Sequence, residues 1–197
     1  MAIHLADESR LIAAAKEGDE DAFTILVNQY YHNIYNLVRK IARNHEDTED
    51  AVQWALLKAY CNLSQFQGNS RIYTWLVRIA VNEALMRLRK KRANKEIALE
   101  DLAQSDPSLL SPETNHWSEN PERHYAELEA HEIISRALDG LSPGLCSAFL
   151  LRNVDDMSMR ETAEALGLSV SAVKSRLVRA RSRLRRRLRT VFRVKYC

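Results

Sequence analysis

Arg71, Arg78, Asn82 and Arg89 are spaced so that, at 100° per residue, they fall within about 40° of one another on one helix, with Trp75 beside them. Guanidinium forks match phosphate oxygens, and an aromatic ring can stack on an unpaired base. The stripe therefore suits a single-stranded or partly melted nucleic-acid backbone. The alternative is an ordinary solvated face with Trp75 in the core. A second constellation lies nearer the C-terminus, where Ala163, Gly167 and Val173 supply the small crossing residue, the turn glycine and the apolar anchor of a helix-turn-helix. The first turns of its second helix carry Ser171, Ala172, Lys174 and Ser175, placed to face base edges in a major groove. Arg176 and Arg179 follow, directed to bases or phosphates. The arginines from Arg181 onward suit phosphates or solvent, because a helix follows the groove only briefly.

A third group is apolar. Asp50, Trp54, Leu57 and Cys61 share one helical face about opposite the core stripe of their helix, and a tryptophan and a leucine have little reason to face water. Either a partner covers this face or it packs inside the domain. The neighbouring Glu46, Asp47, Glu49 and Asp50 are acids in a first helical turn, which the helix dipole favours without a metal. No phosphate-loop or dinucleotide glycine pattern is present, and His4, His32, His45, His116, His124 and His131 form no ligand motif. Cys61, Cys146 and Cys197 are far apart with no C-x-x-C pair, so neither a disulfide framework nor structural zinc is expected. The expectation is a protein that is not an enzyme and has no cofactor or metal.

The elements that must position these groups are helical. In 197 residues, 46% hydrophobic and 28% charged, there are only five glycines and four prolines, which argues against a turn-rich β-sandwich. Phe23, Leu26, Val27, Tyr30, Tyr31, Ile34, Leu37, Val38 and Ile41 recur at three- and four-residue steps, the pattern of a long amphipathic helix. A shorter helix ending near Gly18 precedes it. A third follows Asp47 and Thr48, read as caps, with a core stripe of Val52, Ala55, Leu56, Ala59 and Leu63. A fourth runs from about Ser70 to Arg92. In the C-terminal part Ser142-Pro143, the Ser158 to Glu161 capping-box spacing, Gly167 and Ser169 mark helix starts and stops. The last helix places Val173, Leu177, Ala180, Leu184 and Leu188 on one face.

The net charge of +3 conceals a strong asymmetry: about +2 over residues 1–96, −8 over 97–139 and +9 over 140–197. The expected class is all-α, with two helical domains at 1–96 and 121–197 joined by a flexible acidic linker at 97–120. That linker is punctuated by Ser105-Asp-Pro107, Ser111-Pro112 and Asn120-Pro121. Its Leu99, Leu102, Leu109, Leu110 and Trp117 are too apolar for a purely solvated tether. The basic end suggests a polyanion partner. The apolar runs fall short of a membrane span and the N-terminal residues lack an export pattern, so a cytoplasmic protein without stable membrane insertion is expected.

The strings Gly18-Asp-Glu-Asp-Ala-Phe23, Asp47-Thr-Glu-Asp-Ala-Val-Gln53, Phe66-Gln-Gly-Asn-Ser-Arg71, Thr74-Trp-Leu-Val-Arg-Ile-Ala-Val-Asn82, Asn120-Pro-Glu122 and Val173-Lys-Ser-Arg-Leu-Val-Arg-Ala-Arg181 resemble, in order and spacing, the extracytoplasmic-function (ECF) group of bacterial RNA polymerase sigma factors. The resemblance implies sigma domain 2 over 1–96 and sigma domain 4 over 121–197. It implies binding of RNA polymerase core through its largest-subunit clamp helices, by a face including Asp47, Asp50, Gln53, Trp54 and Leu57. It implies minus-10 recognition and opening by Arg71, Trp75, Arg78, Asn82 and Arg89, with Asn82 near a flipped base. Minus-35 recognition falls to Ser171, Lys174, Ser175, Arg176 and Arg179, and an anti-sigma factor is the expected further partner. Trp54 stands where the family usually has an acid, and the linker and the basic tail from Arg183 are both longer or more basic than usual. The competing reading is a stand-alone helix-turn-helix regulator with an N-terminal dimerisation or sensing bundle.

Overall fold

The computed structural model describes residues 5–97 and 121–195. The segment 98–120, with Leu99, Leu102, Leu109, Leu110 and Trp117, lies outside them, as does Cys197. Among the described residues eight α-helices follow one another: α1 Leu5–Lys16, α2 Glu20–Ala42, α3 His45–Asn62, α4 Ile72–Ile97, α5 Pro121–Asp139, α6 Pro143–Asn153, α7 Met159–Leu166 and α8 Val170–Lys195. A 3-10 turn, Leu63–Gln65, links α3 towards α4.

The first four helices form a bundle in which α3 and α4 pack most extensively and α2 touches both. The apolar stripe of α2 explains this: Leu26, Ile34, Val38 and Ile41 are almost fully buried against Val52, Ala55, Val77 and Val81. Burying a side chain of that size contributes roughly 1.5–3 kcal/mol, so the stripe fixes the bundle's register. The α3 start differs from the sequence expectation. Asn44 is the cap, its side chain accepting from the Asp47 backbone N–H at 2.9 Å, and Asp47 and Thr48 lie inside the helix. The acids at positions 46 and 47 then sit in the first turn, where exposed N–H groups favour them. The helix α4 also continues past Arg92 to Ile97.

In the C-terminal half, α6 and α7 pack on α8. Ser142 occupies the position before Pro143 as expected, but its side chain makes no capping hydrogen bond. Ser158 and Glu161 form the complete capping box, and Gly167 ends α7 at φ 62°, a left-handed conformation that suits glycine. Gly140, between α5 and α6, has the Arg187 guanidinium of α8 lying over it, so a side chain there would collide with that group.

The two halves do not stand apart. Helices α6 and α7 pack on α2 and α4, and one continuous core runs through Val77, Val81, Leu141, Leu151, Ala165 and Leu166. Polar bonds seal the contact. Arg43 ends α2 in a left-handed conformation, φ 61°, which costs a non-glycine residue of order 1 kcal/mol or more. Its guanidinium donates to the Leu138 and Leu141 carbonyls and lies 3.9 Å from Asp139. The Tyr73 hydroxyl donates to Asp155 Oδ1 at 2.8 Å, and burial pushes up the pKa of both groups. Cys146 is enclosed at the same seam, with its thiol towards the Lys40 carbonyl, and burial raises it to about 11.

Candidate nucleic-acid interface

The helix-turn-helix is built as the sequence implies. Ala163, Val173 and Leu177 form a small buried cluster with Met159 and Leu168 packed on it, which sets how α7 crosses α8. The Ser169 hydroxyl accepts from the Ala172 N–H at 3.2 Å and starts α8 two residues after the glycine turn. Ser171, Lys174, Ser175 and Arg179 are exposed on the first turns of α8, as a reading surface requires. Arg176 is different. It is half-buried, its Nη1 3.5 Å from the Gly144 carbonyl, so here it braces α6 instead of facing outward.

Sequence reasoning missed Val178. It is 67% exposed and shares the face of Lys174, one turn before it, and Ser171, two turns before it, by the 100° rule. A lone β-branched residue among arginines on a solvated helix face is the signal that was available. A valine there can meet a thymine methyl group, the one apolar feature of the major groove.

Arg78, Asn82 and Arg89 of α4 are exposed along one edge with Arg71 at its start and Met86 beside them. Arg71 stands just before the helix, its carbonyl accepting the Trp75 N–H. Trp75 fits neither simple reading. It is half-buried, with its ring 5.5 Å from that of Phe66, and so is seated on the core while still reaching the surface. Lys16 secures Phe66 from the other side, donating to its carbonyl and lying over its ring.

The face of α3 is open. Trp54 and Leu57 are 52% and 51% exposed, and Asp50, Gln53 and Cys61 are exposed with them. Internal packing, the other reading of this patch, is excluded for this arrangement. Asp50 and Asp47 are tied to α4: Arg87 Nη1 lies 2.9 Å from Asp50 and Lys91 Nζ 2.8 Å from Asp47. Arg87 also reaches Glu83 at 3.2 Å, and Lys58 pairs with the same buried carboxylate. Arg87 and Lys91 of α4 therefore neutralise acids of α3.

The sequence matches two family descriptions, Sigma-70 region 2 over residues 26–94 and Sigma-70, region 4 over residues 131–184. It is 32% identical over 192 residues to the ECF RNA polymerase sigma-E factor of Haemophilus influenzae, covering 95% of this chain and 98% of that protein. It is 32% identical over 178 residues to the ECF RNA polymerase sigma factor SigW of Bacillus subtilis, covering 90% and 95%. In fold it is similar to the sigma factor RpoE solved with the anti-sigma factor NepR from Bartonella quintana, with a TM-score of 0.68, 23% identity and coverage of 85% and 96%. It is also similar to CnrH solved with the cytosolic domain of CnrY, with a TM-score of 0.62, 24% identity and coverage of 93% and 98%.

Proposed function

The chain belongs to the sigma-70 family of RNA polymerase sigma factors, in its ECF group, and from that premise we propose how its exposed faces divide the work of promoter-directed initiation. The protein is an alternative sigma factor: it binds RNA polymerase core and directs it to particular promoters. Residues 1–96 act as domain 2 and residues 121–197 as domain 4, with 97–120 between them. The matching sigma factors lend no support to a stand-alone regulator.

The observation that carries the residue-level reading is that packing leaves three separate surfaces exposed, each chemically suited to a different partner. The α3 face, Asp47, Asp50, Gln53, Trp54 and Leu57, takes the clamp helices of the largest polymerase subunit. Its exposed indole and leucine supply apolar area, and the acids, held in place by Arg87 and Lys91 of α4, form a polar rim around it. The α4 edge, Arg71, Trp75, Arg78, Asn82 and Arg89, takes the minus-10 strand as it melts: the cations hold the backbone and Trp75 offers the exposed part of its ring. On α8, Ser171, Lys174, Ser175 and Arg179 enter the minus-35 major groove. Val178 is added to that set, and Arg176 turns towards the Gly144 carbonyl of α6.

An anti-sigma factor is the expected regulator, and the apolar α3 face is a surface for which it competes with polymerase. No described helix is long and apolar enough to cross a membrane, and the site of action is with the polymerase in the cytoplasm. No step of this function requires a cofactor. The direct test of the division of labour is pull-down of purified core polymerase. Trp54→Ala with Leu57→Ala should weaken core binding at least tenfold and leave duplex minus-35 binding unchanged; unchanged core binding would move the polymerase contact elsewhere.

A further inference from the structure

Trp75 is seated on Phe66, and Phe66 is held from α1. The Phe66 side chain is buried and its ring lies 5.5 Å from that of Trp75 at 54°, while the indole itself stays half-exposed. Lys16, in the last turn of α1, donates to the Phe66 carbonyl and places its ammonium 5.7 Å from the centre of the Phe66 ring. One exposed lysine thus grips the backbone and the ring of the same residue, by a charge-assisted hydrogen bond and a cation–π contact. Phe66 follows the 3-10 turn and begins the stretch 66–71 that leads through Arg71 into α4. Within that stretch Gly68 takes φ 75°, and Gln67, Gly68 and Asn69 are exposed. Its far end is tied to α1 as well: the Tyr30 hydroxyl donates to Glu8 of α1 at 3.0 Å, and the Tyr30 ring lies 5.3 Å from that of Tyr73 in the first turn of α4. The Sigma-70 region 2 match begins at residue 26, so α1 stands wholly before it.

We propose that Lys16 is a positioning residue for capture of the minus-10 strand, acting through Phe66 to fix the pose in which Trp75 offers its ring. The proposal rests on the assignment of Trp75 to that strand. An indole that stacks on an unpaired base must present its face in a set orientation, and a half-buried ring takes its orientation from what it rests on. Trp75 rests on Phe66. Phe66 in turn sits at a junction where the 3-10 turn has ended and α4 has not begun, with a positive-φ glycine two residues on, so the helical ladder does not continue through it. The lysine supplies a restraint at that point, on the carbonyl and on the ring together. Its ammonium is exposed, so its loss removes a local restraint and costs the whole fold little. An arginine at the same position keeps both interactions, since a guanidinium donates to carbonyls and stacks on aromatic faces.

The experiment uses holoenzyme assembled from the full chain and core polymerase, on a promoter obtained by run-off transcription from a library, with opening read by permanganate reactivity of unpaired thymines. Lys16→Met keeps the apolar stem and removes the ammonium. Opening should fall about threefold to tenfold, with the thermal transition, core binding and duplex minus-35 binding unchanged. Lys16→Arg should restore opening. In a Trp75→Leu background, which keeps apolar volume and removes the stacking ring, Lys16→Met should cost nothing further. Full opening by Lys16→Met overturns the proposal. So does an equal loss with and without Trp75, which would route the effect of Lys16 elsewhere, and so does a loss that follows a lowered thermal transition. The underlying assignment has its own control in Trp75→Leu alone. If that variant is impaired and Lys16→Met is not, the positioning role alone fails. If it opens the promoter normally, the assignment of Trp75 fails and takes the positioning role with it.

Discussion

Arg87 of α4 holds Asp50 of α3 at 2.9 Å, and the same guanidinium reaches Glu83 at 3.2 Å. Glu83 is only 5% exposed and is also bonded by Lys58, so one buried carboxylate organises two cations, one of which presents an acid to the surface assigned to polymerase. The position of Asp50 is thus set from α4, the helix that also carries the nucleic-acid edge.

Two substitutions separate stability from binding in this network. Glu83→Leu leaves Lys58 and Arg87 able to rehydrate and should cost about 1–3 kcal/mol of unfolding free energy in urea titration. Asp50→Asn breaks a pair whose acid is more than half exposed and should cost under about 0.5 kcal/mol, while weakening core polymerase binding several-fold. A large stability loss with intact polymerase binding for Asp50→Asn would make it a purely structural acid.

Ala163 is buried against Val173 and Leu177 where α7 crosses α8, leaving no room for a larger side chain. Ala163→Leu should destabilise the C-terminal half by about 1–3 kcal/mol, seen as a lowered or split thermal transition. Duplex minus-35 binding should fall with it while core binding persists.

Much of this was legible in the sequence, for local reasons. The helix-turn-helix could be read because capping box, glycine turn and apolar anchor are encoded within a few residues of one another, and the open α3 face because Trp54 and Leu57 break the core periodicity. The seam was not legible. Tyr73 and Asp155 are 82 residues apart, and the Arg43 contact with Leu141 spans 98, with no periodic pattern to join them. The pairing of Arg87 and Lys91 with α3 acids spans about forty residues and leaves no local pattern, and Asp47-Thr48 resembles a cap although Asn44, three residues before Asp47, is the one that caps α3. Val178 carries no charge and no capping signal and lies among arginines, so the pattern of α8 does not mark it, although it is exposed on the reading face.

Lys174 and Val178 should differ in what their loss does to sequence preference. If Lys174 reads a base, Lys174→Ala changes minus-35 discrimination by roughly 1–3 kcal/mol; an equal loss on all sequences makes it a phosphate contact. Val178→Ala should reduce discrimination at a single thymine with little change in salt dependence, measured by competition among minus-35 duplex variants.

The Ser158 cap gives a pH-dependent term of known sign. Hydrogen bonds from Ser158 hold the Glu161 carboxyl below its usual range, so its contribution is present above the ordinary value and is lost as pH falls through the depressed one. Glu161 is largely solvated, so the term is at most about 1 kcal/mol. Glu161→Gln should flatten the acid limb of the stability profile, and Ser158→Ala should cost about 0.5–2 kcal/mol at neutral pH.

The central claim is that this chain turns core polymerase into a promoter-specific enzyme through two DNA-facing helices. Run-off transcription with purified core polymerase on a promoter library measures it most directly. The expected result is initiation at a fixed distance from a two-part motif, dependent on this protein, with Asn82→Ala impairing opening but not minus-35 binding. Stable binding of duplex DNA with no core-dependent initiation from any promoter in the library would contradict it.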